Sequence, residues 1–515
     1  MRGLGQDVLS VGLEGMKGHI VRVEANVRSD KDQFVIVGLP DASIKESKER
    51  VLSCLHALDV DLDMKKVTVH LSPADKCKTG TGYDAAMLVA VLKEVMKEPI
   101  PLDSSTCILA SLSLDGRLES FHGLIPAIQQ AVLLGFKRVL LPPVDVRVLG
   151  KALSADLIPL ADVHQLLDCL RGQRVITMDI PKVLMKEEES PDQSHQPDFA
   201  SVRGHKEAKR ALEIAAAGGH HVLMTGPPGC GKSMLADTFH TILPDLPNEE
   251  MLEVYSIYHL AKERRGFSSR PPYRSPHHSA SAISLIGGGT YPKPGEISLA
   301  HRGVLFLDEL GEFSRKTLDM LRQPMESGEV TISRVRQSVT YPSSFTLLAA
   351  TNPCPCGYHG SNERYCTCTP QQVRAYQLKA SGPLLDRLDF VLTLTSVGLK
   401  QEMPAETSEK IRIRTERAHL LQKNRYGGPS LNGTVAGSLL LATCGLTDQQ
   451  NELLETVCFR KKWSNRTLVK LIRLARTISD LEGVAYITEA SLEEAIHWKQ
   501  MADLHQDAQR IHGSS

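Results

Sequence analysis

The chain lacks net charge: sixty lysines and arginines offset sixty aspartates and glutamates among 515 residues. With no overall cationic field, it does not announce a polyanion partner, so any nucleic-acid contact must be a local patch. No run of about 18 uncharged apolar residues occurs, which excludes a membrane-spanning helix. The opening residues, MRGLGQDVLSVGLEG, contain no charged segment leading into an apolar one, so the chain reads as a soluble, cytoplasmic protein. Cysteine is sparse: eleven are too few for a disulfide scaffold in a chain this long, yet four fall between Cys354 and Cys368, which suggests a metal. Collagen-like bias, extended low-complexity tracts and solenoid-period repeats are also absent. What remains is ordinary globular composition, 42% hydrophobic and 23% charged, in a chain too long for one core. About three domains are expected.

The clearest break is KEEESPDQSHQPD, polar, acidic and without apolar periodicity, which reads as a linker over residues 181–197. Before it, VRVEANV, FVIVGLP and KVTVHLS have strand patterns, while ASIKESKERVLSCLHAL and GYDAAMLVAVLKEVM have helical spacing. Residues 1–180 therefore form a mixed α and β domain. After it, the helix KEAKRALEIAAAGG ends at a glycine pair and HVLMT follows as a buried strand. Further strand patterns at GVLFLDE, VTISR, SVTYP and FTLLAATN, interleaved with helical ones, predict a largely parallel α/β sheet over residues 198–397. From residue 398 to 515 the pattern is helical.

The strand HVLMT runs into GPPGCGKS, residues Gly226, Pro227, Pro228, Gly229, Cys230, Gly231, Lys232 and Ser233. This is a phosphate-binding loop: its glycines let main-chain N–H groups curl round a phosphate, Lys232 reaches the β/γ-phosphates and Ser233 the magnesium. The following helix aims its positive N-terminal end at the same place. Downstream, GVLFLDE delivers two carboxylates from the end of a buried strand. Asp308 would hold hydrated Mg2+, and Glu309 would polarise the attacking water. Asn352, ending FTLLAATN, is either a γ-phosphate or water contact or a turn-forming residue before proline. ATP and Mg2+ are the implied cofactors.

At this point the chain resembles the AAA+ ATPase superfamily. FASVRGHKEAKRALEIAAAGGHHVLMTGPPGCGKS, YRSPHHSASAISLIGGG, PKPGEISLAHRGVLFLDELGEF, ATNPCPCGYHG and SGPLLDRLDF are similar to the magnesium-chelatase-like YifB and ComM family over nearly the whole chain. The resemblance implies a P-loop parallel-sheet core with a helical C-terminal lid. It also implies a homo-oligomeric, hexameric ring with ATP held between neighbours. Asn352 matches the sensor-1 position, Arg387 in LLDRLD the arginine finger, and Arg466 in SNRTLVKLIRLAR the sensor-2 arginine. Permanently charged, forked guanidiniums suit both tasks. Arg473 and Arg476, farther along the same helix, compete with Arg466 for the last role.

Cys354, Cys356, Cys366 and Cys368 form two Cys-x-Cys pairs separated by nine intervening residues. Four gathered thiolates could close a structural, tetrahedral Zn2+ site, or stay reduced and metal-free; His359 is a substitute ligand. Zinc there would rigidify the loop just after Asn352. TISRVRQSVTY, with Arg334 and Arg336 in strand register, is similar to the hairpin before sensor 1 in related motors. RPPYRSPHHSASAISLIGGGTYPKPGE resembles the family's helix-2 insertion and carries Arg274, His277, His278 and Lys293. These residues are either DNA-backbone contacts or solvated loop charges.

VGLPDASIKESKERV, HLSPADKCKTGTGYD and LDGRLESFHGLIPAIQQAVLLGFKRVLLP resemble the α+β Lon-protease-like (ribosomal S5 domain 2-like) domain that opens YifB proteins. Its peptidase needs a serine nucleophile and a lysine base. Here the Gly-Pro-Ser-Ala-Gly segment reads Gly80, Thr81, Gly82, Tyr83, Asp84, and Ile125 follows His122, Gly123 and Leu124 where the lysine is expected. Proteolysis is therefore the least favoured function. The leading expectation is a ring motor coupling ATP hydrolysis to DNA remodelling, a helicase promoting branch migration in recombination or natural transformation, with recombination proteins as partners. The alternative is a chelatase-like ATPase that remodels a partner protein.

Overall fold

The computed structural model describes residues 7–96, 100–144, 149, 153–173, 197–289, 292–334, 337–361, 364–379, 382–396 and 406–511. Most of the expected linker, 181–197, lies outside them. Contacts divide the chain into two compact units, Met1–Glu189 with Pro247–Ser268 and Ser190–Leu246 with Ser269–Ser515.

In the first unit, alternating burial builds a four-stranded sheet in the order Val8–Glu14, Lys17–Ser29, Lys65–Ser72, Gln33–Val37. Its last pair is parallel and the others antiparallel. The helix Asp84–Val95 is buried from Asp84 to Leu92, so its sequence is apolar almost all round. A second, parallel sheet orders Thr106–Ile108, Arg138–Leu141 and Asp156–Pro159. The helix Asn248–Ala261 belongs to this unit although it falls inside the 198–397 stretch. The reason is its apolar face: Leu252 and the following Phe267 share one core with Leu124, Ile128 and Val139. Gly123 also donates its N–H to His259 Nδ1 at 3.2 Å.

The second unit is organised by a five-stranded, all-parallel sheet in the order Tyr273–Arg274, Val304–Leu307, Thr346–Thr351, Val222–Thr225, Phe390–Thr393. The middle three strands are almost wholly buried, which explains their unbroken apolar sequences. VTISR and SVTYP do not join it. They pair with each other as the antiparallel ribbon Glu329–Arg334 and Gln337–Pro342. Their apolar residues bury one face only, through Val330, Ile332, Val339 and Tyr341, a pattern unsuited to a sheet covered on both sides. The C-terminal helices are Ser408–Tyr426, Gly437–Thr443, Asp448–Lys461, Asn465–Leu481 and Glu489–Ile511. Two start at side-chain caps, Thr447 in a capping box with Gln450, and Ser464 bonding Thr467 N–H. Among the described residues no helix is long and apolar enough to cross a membrane.

Two histidines, the buried His221 and the half-buried His259, make stability pH-dependent. His221 Nδ1 accepts the N–H of Leu347 at 3.0 Å, and His259 Nδ1 that of Gly123, so both rings must be neutral. Burial lowers each pKa from 6.5 to about 4. Between those values the unfolded chain binds the extra proton and the folded chain does not, so stability is full above pH 6.5 and falls as pH drops toward 4. Each site accounts for about 3 kcal/mol across that window. Melting temperatures measured by calorimetry should therefore fall steadily on acidification, and a flat profile over this range would contradict the assignment.

Candidate nucleotide site

Parallel pairing brings the carboxyl ends of three strands to one edge of the sheet, and each is followed by a candidate residue. Thr225 stands beside Thr351 and Leu307 beside Ala349, so Gly226, Asp308 and Asn352 leave the sheet on the same side. The phosphate loop then turns at Gly229 and Gly231, whose φ angles of +79° and +95° favour glycine. Pro228 and Gly229 are exposed, whereas Gly226 and Cys230 are buried, and burial raises the Cys230 thiol pKa. The helix Lys232–Phe239 begins at once, capped by Gly231, with no side-chain hydrogen bond at its N-cap.

The Lys232 ammonium is the hub. It donates to Gly226 O at 2.7 Å, Pro227 O at 2.9 Å and Asn352 Oδ1 at 3.1 Å. Burial lowers its pKa. Ser233 Oγ donates to Asp308 Oδ2 at 3.1 Å, and Asp308 Oδ1 accepts the N–H of Glu309 at 2.8 Å. A hydroxyl and a carboxylate at this separation form an oxygen-donor pair of the kind Mg2+ prefers. Glu309 has φ +51°, and its carboxylate, about half exposed, lies 3.2 Å from His278 Nδ1. Sequence reading placed His278 only among loop charges; its partner is 31 residues away, beyond the reach of any local pattern. The His277 ring lies against His278 at 4.0 Å between centroids, with the two planes tilted by 34°.

Asn352 leads directly into the cysteines. Cys354 Sγ lies 3.3 Å from Cys356 Sγ and 3.7 Å from Cys366 Sγ, with 3.5 Å between the latter two. All four sulfurs, Cys368 included, fall within 4.8 Å of one another. Four soft donors so gathered fit a tetrahedral Zn2+. Main-chain hydrogen bonding, chiefly from Tyr358, lowers the Cys356 thiol to about 5, whereas desolvation raises the thiols of Cys366 and Cys368. His359 contributes its main-chain N–H, donated to Cys354 Sγ at 3.3 Å.

The two candidate arginines meet on one carboxylate. Arg387 Nη2 lies 2.7 Å from Glu326 Oε1, and Arg466 Nη2 bonds the same oxygen. The Arg387 hydrogen bond, with Arg466 adding to it, holds the Glu326 carboxyl below its ordinary range. Arg473 instead donates to Val435 O at 2.7 Å, and Arg476 is fully buried against Asp480 at 3.0 Å. Of the three arginines on the helix Asn465–Leu481, Arg466 alone has a half-exposed guanidinium facing the sheet domain's Glu326.

The remaining candidates are scattered. Arg274 is committed to a forked pair with Glu296, Nε to Oε2 at 2.6 Å and Nη2 to Oε1 at 2.7 Å. Lys293 is exposed, on a two-residue strand paired with Gly287–Gly288. Arg334 ends its ribbon strand opposite Gln337, and Arg336 lies outside the described residues. In the first unit, Gly82 packs against the Phe121 ring, and Asp84 is buried in an ion pair with Arg50 at 2.7 Å. Lys78, fully buried, donates to the main-chain oxygens of Pro73 and Lys76, so it closes its own loop.

Residues 198–402 match the family described as magnesium chelatase, subunit ChlI; residues 23–145 match subunit ChlI of Mg-chelatase, and residues 405–499 its C-terminal part. YifB of Escherichia coli K12 is 35% identical over 494 residues, covering 94% of this chain and 95% of that protein. The chain belongs to the YifB/ComM family. The competence protein ComM of Haemophilus influenzae is 36% identical over 95% of this chain and 96% of its own length. The magnesium-chelatase 38 kDa subunit of Rhodobacter capsulatus is 25% identical over 30% of this chain and half of that protein. The family is one of magnesium-chelatase-like AAA+ ATPases, in keeping with the parallel sheet and the helical C-terminal region.

Proposed function

We propose that this YifB/ComM-family chain is a cytoplasmic ring motor that hydrolyses ATP and moves on DNA. The observation carrying the ATPase reading is the convergence of Lys232, Ser233, Asp308, Glu309 and Asn352 at one edge of the parallel sheet. In this reading the loop Gly226–Ser233 cradles the phosphates, and Lys232 exchanges its carbonyl partners for β/γ-phosphate oxygens. Ser233 and Asp308 hold Mg2+, Glu309 orients the attacking water and Asn352 the γ-phosphate. Arg387 serves the neighbouring subunit's nucleotide and Arg466 the lid. The four cysteines hold a structural Zn2+; elemental analysis of protein purified without added metal should return close to one equivalent.

DNA as the track is supported by the relative named a competence protein. Lys293, Arg334 and Arg336 are the proposed backbone contacts, and Arg274 would join them only by leaving Glu296. The test is ATP turnover with and without single-stranded, double-stranded and forked DNA, beside unwinding of a four-way junction at low and high salt. Stimulation and branch migration are expected. A motor that hydrolyses ATP yet neither binds nor responds to any DNA would instead favour remodelling of a partner protein, the reading suggested by the chelatase subunits.

Arg387→Ala separates the shared site from the single subunit. ATP binding should survive, because the side chain lies on another subunit's nucleotide, while turnover of the assembled ring falls by about 10³-fold or more. Equal turnover in variant and parent would remove Arg387 from the reaction.

A further inference from the structure

The cysteine knuckle touches the phosphate loop directly. Gly357, with φ +85°, lies so close to the Pro228 ring that a β-carbon there would fall 2.6 Å from Pro228 Cδ. Asn352, two residues before Cys354, receives Lys232 Nζ, and Pro353 O is tied down by Gln377 Nε2 at 3.1 Å. The sulfurs themselves are in contact. Cys356 and Cys366, one from each Cys-x-Cys pair, are partly exposed and 3.5 Å apart, and Gly357 is the next residue after Cys356. Cys356 is therefore one residue from the glycine that packs on the Pro228 ring.

We propose that the Cys354–Cys368 knuckle is an oxidative modification site through which a hydroperoxide switches off nucleotide binding; this rests on the ATP reading of the loop Gly226–Ser233. The Cys356 sulfur attacks one peroxide oxygen, forming an S–O bond and breaking the O–O bond, and the departing hydroxide leaves as water after taking a proton. The Cys366 sulfur then attacks that sulfur, forming the S–S bond and expelling a second hydroxide, which takes the proton released by the Cys366 thiol and leaves as water. Two thiols and one hydrogen peroxide give one disulfide and two waters; sulfur is oxidised and the peroxide reduced. The bond draws the sulfurs to about 2.05 Å, and carries Gly357 with them against the proline ring. Only Cys354 and Cys368 remain as thiol donors, too few for a closed four-coordinate site.

The full chain, reduced or treated with hydrogen peroxide and then catalase, is titrated with a fluorescent ATP analogue, with zinc release followed by a chromogenic chelator. Non-reducing peptide mapping should find Cys356 joined to Cys366. Affinity should fall by about tenfold or more and return with dithiothreitol and zinc. Formation of that disulfide with unchanged affinity, or lost affinity without it, overturns the proposal. Cys230→Ala, compared with its own reduced form, should keep the response; if the response vanishes, the sensor is the phosphate-loop thiol and the knuckle is not the switch. Gly357→Ala leaves all four thiols in place, so it should retain zinc yet weaken the analogue in reduced protein, and unchanged affinity there breaks the proposed coupling. Reduced parent protein that binds no analogue overturns the ATP reading and the switch together, whereas equal binding in both states overturns the switch alone.

Discussion

Lys232→Ala is expected to weaken ATP binding by about 10²-fold or more and to suppress hydrolysis with it. The side chain is the sole ammonium at the loop's centre among the described residues, donating at once to Gly226 O, Pro227 O and Asn352 Oδ1. Those three acceptors would face the nucleotide without a counter-charge after truncation. A charged hydrogen bond to phosphate contributes about 1.5–3 kcal/mol, and a lysine reaching two phosphates makes more than one. Affinity should therefore drop by about 10²-fold or more. Because burial already disfavours the ammonium, phosphate oxygens should bind it more readily than the carbonyls it now contacts. Isothermal titration with ATP and Mg2+ reads the loss directly; wild-type affinity in the variant would overturn the site. Folding should be unaffected, since the alanine variant keeps the glycine turns and the helix Lys232–Phe239 that shape the loop.

Glu309→Gln should produce the opposite division, with binding kept and chemistry lost. The amide preserves shape and can still accept from His278, but it cannot polarise water as a carboxylate does. General-base contributions of this kind are about 10²–10⁴-fold, and turnover should fall by that amount with little change in KM. A variant that also loses ATP affinity would mean that Glu309 binds rather than activates. Asp308→Asn provides the contrast: it weakens the pair with Ser233 and should raise the Mg2+ concentration needed for half-maximal activity. His278 gives a further check on geometry. If its contact at 3.2 Å positions the Glu309 carboxylate, substitution should lower kcat while leaving ATP affinity alone.

Local patterns account for the parts of this protein whose causes are local. The spacing from Gly226 to Ser233 requires glycine at two left-handed positions and a helix immediately afterwards, and both are properties of adjacent residues. The buried strand ending at Asp308 and the helix caps at Thr447 and Ser464 are legible for the same reason. The two Cys-x-Cys pairs could be seen as a cluster before their sulfurs were placed within 4.8 Å.

Tertiary structure decided whatever depends on residues distant along the chain. The strand order alone sets Asp308 beside Ser233, 75 residues apart, and Asn352 against Lys232, 120 apart. One-sided burial kept VTISR and SVTYP out of the central sheet and in the hairpin that the family resemblance implied, and an apolar face assigned Asn248–Ala261 to the first unit. Only packing distinguished Arg466 from Arg473 and Arg476, because three arginines on one helix look alike until burial commits two of them to partners within the C-terminal helical region. Glu326 was invisible for the same reason: a carboxylate at a helix end has no signature, and its role arises solely from the convergence of Arg387 and Arg466. By itself the sequence determined the loop that can hold a phosphate, because main-chain conformation follows from neighbouring residues. The carboxylate, amide and thiols around that loop were decided by the parallel sheet, because hydrogen-bond register across strands is the force that brings them within a few ångströms.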